Sequence, residues 1–209
     1  MSFSVTDNRL DLIPARSLCL LTCVLFVIVL AATHVRAQDV NTNNNEFGVW
    51  ISGQFANGHA FGSTTNTRMY QFEGRYARLM YANRTVALRY VATVVPISSV
   101  GVPGGNGQRV YAYASGGSPI AIQLNWLRSR GLQPFLTSGG GFLYFNRHLF
   151  NTTQLNFTAQ AAVGLQVFTS KHHSIDFGYR YHHISNANLG NENPGMDSHV
   201  LFLGISFLR

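Results

Sequence analysis

His183, Ser185 and Asp197 bring a base, a hydroxyl and a carboxylate together in one short stretch of chain. Hydrolysing an ester with a serine needs a base to take the hydroxyl proton and an acid to orient that base. In an extended strand, residues two apart share a face and are separated by about 6.6 Å along the chain, a gap that an imidazole largely spans. His183 and Ser185 therefore point the same way, with Ile175, Phe177, Tyr179 and Tyr181. Ser174, Asp176, Gly178 and Arg180 take the other face. After a polar loop, Asp197 opens a second extended stretch in phase with His199, Leu201, Leu203, Ile205 and Phe207. A His-x-Ser pair is a weak signal alone, and the shared greasy face gives it weight. Glu192 is a poorer orienting acid because it lies inside the loop.

The hairpin belongs to a chain built of alternating segments. Approximate spans are 46–56, 68–81, 84–95, 117–128, 132–146, 155–169, 173–186 and 197–208. In the sixth, Leu155, Phe157, Ala159, Ala161, Val163, Leu165 and Val167 alternate with Asn156, Thr158, Gln160, Ala162, Gly164, Gln166 and Phe168. Segments of this length and alternation are the signature of a transmembrane β-barrel, here all-β, eight-stranded and antiparallel. Ala82-Asn83, Ser129-Arg130-Gly131 and Ser170-Lys171-His172 make short turns. The links around 57–67, 96–116, 147–154 and 187–196 are longer and rich in Gly, Asn, Ser and Thr. Short turns read as periplasmic and long loops as extracellular, which places the His/Ser/Asp group at the extracellular end. Glu73, Arg75, Arg89, Asp176 and Arg180 fall on the polar phase and are expected to fill the lumen, since a barrel of eight strands is narrow. Arg78 falls on the apolar phase near a periplasmic turn, where it can snorkel.

Composition agrees. Charged residues are 11% of the 209-residue chain, against about 25% in soluble domains. Residues 1–37 read as a cleaved signal peptide, with Arg9 and Arg16 before an apolar run from Leu18 to Ala32 and small residues at Val35-Arg36-Ala37. That leaves 38–209 as an outer-membrane barrel. Cys19 and Cys23 both lie in the signal, so the mature chain has no thiol chemistry. Losing 1–37 lowers the formal charge of +7 by one. Export argues against nucleic acid as the partner of this basic chain and favours anionic lipid or lipopolysaccharide phosphate.

His183-Ile184-Ser185-Asn186-Ala187, with Asn193-Pro194-Gly195 and an acid two residues on, resembles the signature of the PagL-type lipid A 3-O-deacylases. The likeness is sharpest over 178–207. It implies a metal-free and cofactor-free serine esterase that cuts an ester-linked 3-hydroxyacyl chain from lipid A in the outer leaflet of a Gram-negative outer membrane. Ser185 would be the nucleophile, His183 the base and Asp197 the acid. Asn186 would help to bind the oxyanion, and Arg109, Arg147 or His182 would meet substrate phosphates. Asp197 departs from the glutamate usual in such enzymes, and Leu208-Arg209 departs from a terminal aromatic. A homodimer is compatible with the sequence. The main alternative is a non-enzymatic small barrel with a structural or adhesion role. A metal site from His182, His183, Asp197 and His199 converges poorly, because His182 is on the opposite phase.

Overall fold

The computed structural model describes residues 44–104, 107–126, 131–148 and 153–209. Residues 1–37, expected above to be a signal peptide, lie outside them, as do 105–106 of one expected link, 127–130 at the end of the fourth expected segment and its turn, and 149–152 of another link. Strands β1 (Asn45–Gly58), β2 (Arg68–Ala82), β3 (Val86–Pro103), β4 (Arg109–Trp126), β5 (Leu132–Phe145), β6 (Leu155–Phe168), β7 (His173–Ser185) and β8 (Met196–Leu208) follow one another round a closed barrel. Every neighbouring pair is antiparallel, and β1 returns to pair with β8. The described residues form no helix.

Parity sorts the side chains as the alternation predicts. Val49, Ile51, Leu201, Leu203, Ile205 and Phe207 are exposed on the outer wall, and Trp50, Phe202 and Ser206 between them are buried in the lumen. Arg78 is exposed on the outside. Glu73, Arg75, Arg89, Asp176 and Arg180 are all buried inside.

The expected long link at 96–116 is a correction. β3 runs on to Pro103 and β4 starts at Arg109, so most of 96–116 is strand. Pro96 falls where the β3–β4 register shifts between Val95 and Ser98, a bulge that asks for no ladder N–H. Gly117 passes so close to β3 that a Cβ there would lie 2.5 Å from the Thr93 carbonyl oxygen. Proline and glycine thus serve the sheet here while giving the sequence the composition of a loop.

The lumen is filled in layers. At the end that carries the site, Met69, Val100, Leu143, Phe145, Ile184 and Met196 pack into an apolar plug. Beneath it, Arg180 makes a bidentate pair with Glu73 at 2.8 and 2.9 Å, and Trp50 stacks on Phe202 with centroids 4.6 Å apart. Toward the short turns, Glu46 pairs with Arg75 and lies 3.9 Å from Arg89. There Asp176 accepts hydrogen bonds from Trp50 Nε1 at 3.3 Å and Ser174 Oγ at 3.1 Å. Glu46 with Arg75 and Glu73 with Arg180 are buried ion pairs, and removing one member of such a pair costs about 3–5 kcal/mol.

Candidate active site

Strand register builds the first contact of the site. His183 on β7 lies directly opposite Asp197 on β8, and both side chains take the outward phase. Opposed Cβ atoms across an antiparallel pair are about 5 Å apart, close enough for an imidazole to meet a short carboxylate. His183 Nδ1 lies 2.6 Å from Asp197 Oδ1, with the aspartate side chain 0% exposed and the histidine 17%. Use of Nδ1 leaves Nε2 as the ring nitrogen able to take a proton from a neighbour. Ser185, half-buried, follows on the same face as the last residue of β7. Among the described residues no hydrogen bond joins its Oγ to the ring, an arrangement common before substrate binds.

An outward aspartate near the rim would be wet without a cover, and the link between β1 and β2 supplies one. The backbone N–H groups of Phe61 and Gly62 donate to Asp197 Oδ2 at 2.7 and 2.8 Å. Ala60 N–H donates to Tyr181 Oη at 3.1 Å. The link is in turn laced to the β7–β8 loop: Ser63 N–H donates to the Pro194 carbonyl at 2.7 Å and Thr64 N–H to that of Gly195 at 3.2 Å. The Phe61 ring stands edge-on to His183, centroids 5.7 Å apart. None of these partners is apparent from sequence motifs, since the donors are backbone groups.

Asn186 lies on the inward phase and is buried. Its Nδ2 donates to the Glu192 carbonyl at 2.8 Å, its Oδ1 accepts from Asn188 N–H at 2.9 Å, and its own N–H donates to Asn193 Oδ1 at 3.1 Å. The side chain that sequence reasoning offers to an oxyanion is engaged in shaping the 186–195 loop. Glu192 itself is exposed in that loop. Arg109 donates to the Asn66 carbonyl at 2.7 Å and Asn66 Oδ1 at 2.9 Å, tying β4 to the β1–β2 link. Arg147 is exposed just after β5. His182 is buried in the lumen, and His199, one pair below Asp197, meets Tyr179 Oη through Nδ1 at 2.6 Å. His182 is thus separated by the barrel wall from the other three members of the conceivable metal set.

Further from the rim, the outer wall carries an apolar groove of about 830 Å³ lined by Ile51, Gly53, Tyr70, Phe72, Phe177 and Leu203, among others. The arrangement as a whole sets a carboxylate-paired imidazole and a serine on one face of the wall, beside an apolar surface.

A family model described as lipid A 3-O-deacylase (PagL) matches residues 57–206, well over half of the chain. No curated protein matches. Among solved structures, the outer membrane enzyme PagL superposes with a TM-score of 0.59 at 20% identity, covering 75% of this chain and 97% of that one. The outer membrane protein OprG from Pseudomonas aeruginosa gives 0.47 at 13% identity, over 80% and 97%. Neisserial surface protein A gives 0.47 at 11% identity, over 78% and 96%.

Proposed function

We propose that this chain, which belongs to the PagL family of lipid A 3-O-deacylases, hydrolyses an ester-linked 3-hydroxyacyl chain of lipid A with Ser185, His183 and Asp197. The supporting observation is the His183–Asp197 pair, held at 2.6 Å on the same outward face as Ser185. In this reading the barrel sits in the outer membrane with the long-loop end outward, and the site meets the outer leaflet. The apolar groove on the wall gives a hydrocarbon chain a place to lie next to the barrel. A lipid substrate then arrives by lateral diffusion.

Ser185 Oγ attacks the ester carbonyl while His183 Nε2 takes its proton. Asp197 stabilises the imidazolium through Nδ1 and keeps the ring turned toward the serine. Collapse of the tetrahedral intermediate breaks the bond to the sugar oxygen, which leaves with the proton from His183. Water, deprotonated by the same imidazole, then releases the acyl group as a fatty acid and restores Ser185. Asn186 contributes by holding the loop that follows the nucleophile. Arg147, exposed at the rim, and Arg109 are the cations assigned to the lipid A phosphates in this reading. Every group in the scheme comes from one chain, so no dimer is required.

The test is mass spectrometry of lipid A from membranes carrying the protein or Ser185→Ala. The wild type should remove one hydroxyacyl chain and the variant none, with both migrating as heat-modifiable folded barrels. Removal by Ser185→Ala would overturn the triad, and no removal by the wild type would favour a non-enzymatic barrel.

A further inference from the structure

We propose that the backbone of Phe61 and Gly62 is a positioning element for catalysis, an anchor that holds Asp197 in the one orientation that serves His183. The inference rests on the triad reading above and extends it to a segment with no catalytic side chain.

Aspartate has a single methylene between backbone and carboxylate, so its two oxygens cannot be steered independently. At Asp197 they are divided: Oδ1 meets His183 and Oδ2 takes the two N–H groups of Phe61 and Gly62 at 2.7 and 2.8 Å. With the two amides in place, rotation of the carboxylate away from the imidazole breaks two charge-assisted hydrogen bonds in a buried place. Hydrogen bonds to charged groups are the strong ones, and a misplacement of about 1 Å in a catalytic group costs about 100-fold in rate.

The approach of the segment is built with small residues. A Cβ on Gly62 would lie 2.7 Å from the Gly195 carbonyl carbon and 2.8 Å from the Met196 nitrogen, both backbone atoms that cannot swing aside. A Cβ on Gly58 would lie 2.9 Å from the Asp197 Cβ. Gly195, on the facing loop, has a φ of +61°, which a side chain rarely adopts. Two loops thus close on the carboxylate at glycines, with Phe61 placing its ring edge against His183. A segment that merely capped the barrel would not need to aim two adjacent N–H groups at one carboxylate oxygen.

The experiment compares folded, heat-modifiable wild type, Gly62→Ala, Asp197→Glu and the double variant on purified lipid A in detergent. Gly62→Ala pushes the amides outward, and kcat should fall by about 100-fold with KM little changed. Asp197→Glu should also lose kcat, because the longer side chain crowds the amides. Combined, the longer carboxylate reaches the displaced amides, and the double variant should be faster than Gly62→Ala alone. Full kcat in Gly62→Ala, or losses that simply multiply in the double variant, would overturn the anchor. A second readout needs no activity. Amide hydrogen exchange at Phe61 and Gly62 should quicken by about tenfold or more in Asp197→Ala and stay slow in Ser185→Ala. Equal exchange in wild type and Asp197→Ala would also overturn it. Ser185→Ala activity separates the two levels: an active variant defeats the triad itself, whereas an inactive one beside a fully active Gly62→Ala defeats only the anchor.

Discussion

Asp197 is held by the imidazole of His183, the Tyr181 hydroxyl and the N–H groups of Phe61 and Gly62, while remaining wholly buried. Substituting asparagine keeps the size and shape but removes the charge that stabilises an imidazolium and selects its tautomer. Asp197→Asn should lower kcat by on the order of 10³- to 10⁴-fold with the barrel still folded, measured as fatty acid released from lipid A. The pairing of His183 with Asp197 was legible in the sequence, because strand parity alone puts both on one face. What parity could not show was the cover over Asp197. Backbone donors leave no residue-type signature, and the two glycines that let them approach, Gly58 and Gly62, look like ordinary loop residues. The same limit explains Asn186. Its place beside Ser185 suggests a hand in catalysis, and only its hydrogen bonds to Glu192 and Asn188 show what its amide holds.

At the scale of strands, the lumen depends on glycine as much as on charge. Trp50 lies flat on Phe202 because Gly204 beside it has no side chain: a Cβ there would stand 1.9 Å from Trp50 Cδ1. Gly204→Ala should therefore destabilise the barrel by about 1–3 kcal/mol, the usual cost of overpacking, seen as a lower urea midpoint for loss of the heat-modifiable band. The larger loss is expected for Glu73→Ala, which leaves Arg180 buried without its bidentate partner and costs about 3–5 kcal/mol by the same assay. Most strands could be placed from alternation. From the sequence, β3 and β4 read short because Pro96, Gly101 and Gly116 carry the composition of a turn. In a curved sheet such residues also sit at bulges and close strand contacts, and distinguishing the two uses requires the neighbouring strand.

For the whole molecule, the apolar layer of Met69, Val100, Leu143, Phe145, Ile184 and Met196 lies across the loop end of the lumen, above the paired charges. Planar bilayers containing the protein should show the conductance of bare lipid; discrete ion-passing steps would contradict this filling. The ladder between β1 and β8 has a different consequence. Asp197 belongs to the last strand and its amide partners follow the first, separated by 135 and 136 residues of chain. Contacts so distant in sequence are assembled only after their intervening loop entropy has been spent. During refolding into micelles, esterase activity should accordingly return with the heat-modifiable form and lag behind the circular dichroism of β-structure. An unclosed sheet would leave Asp197 opposite His183 across β7 and β8 but without the Phe61 and Gly62 amides that fix its carboxylate. On the triad and anchor proposed above, the site is complete only once the last strand has found the first, so closure of the barrel and completion of the site are one event.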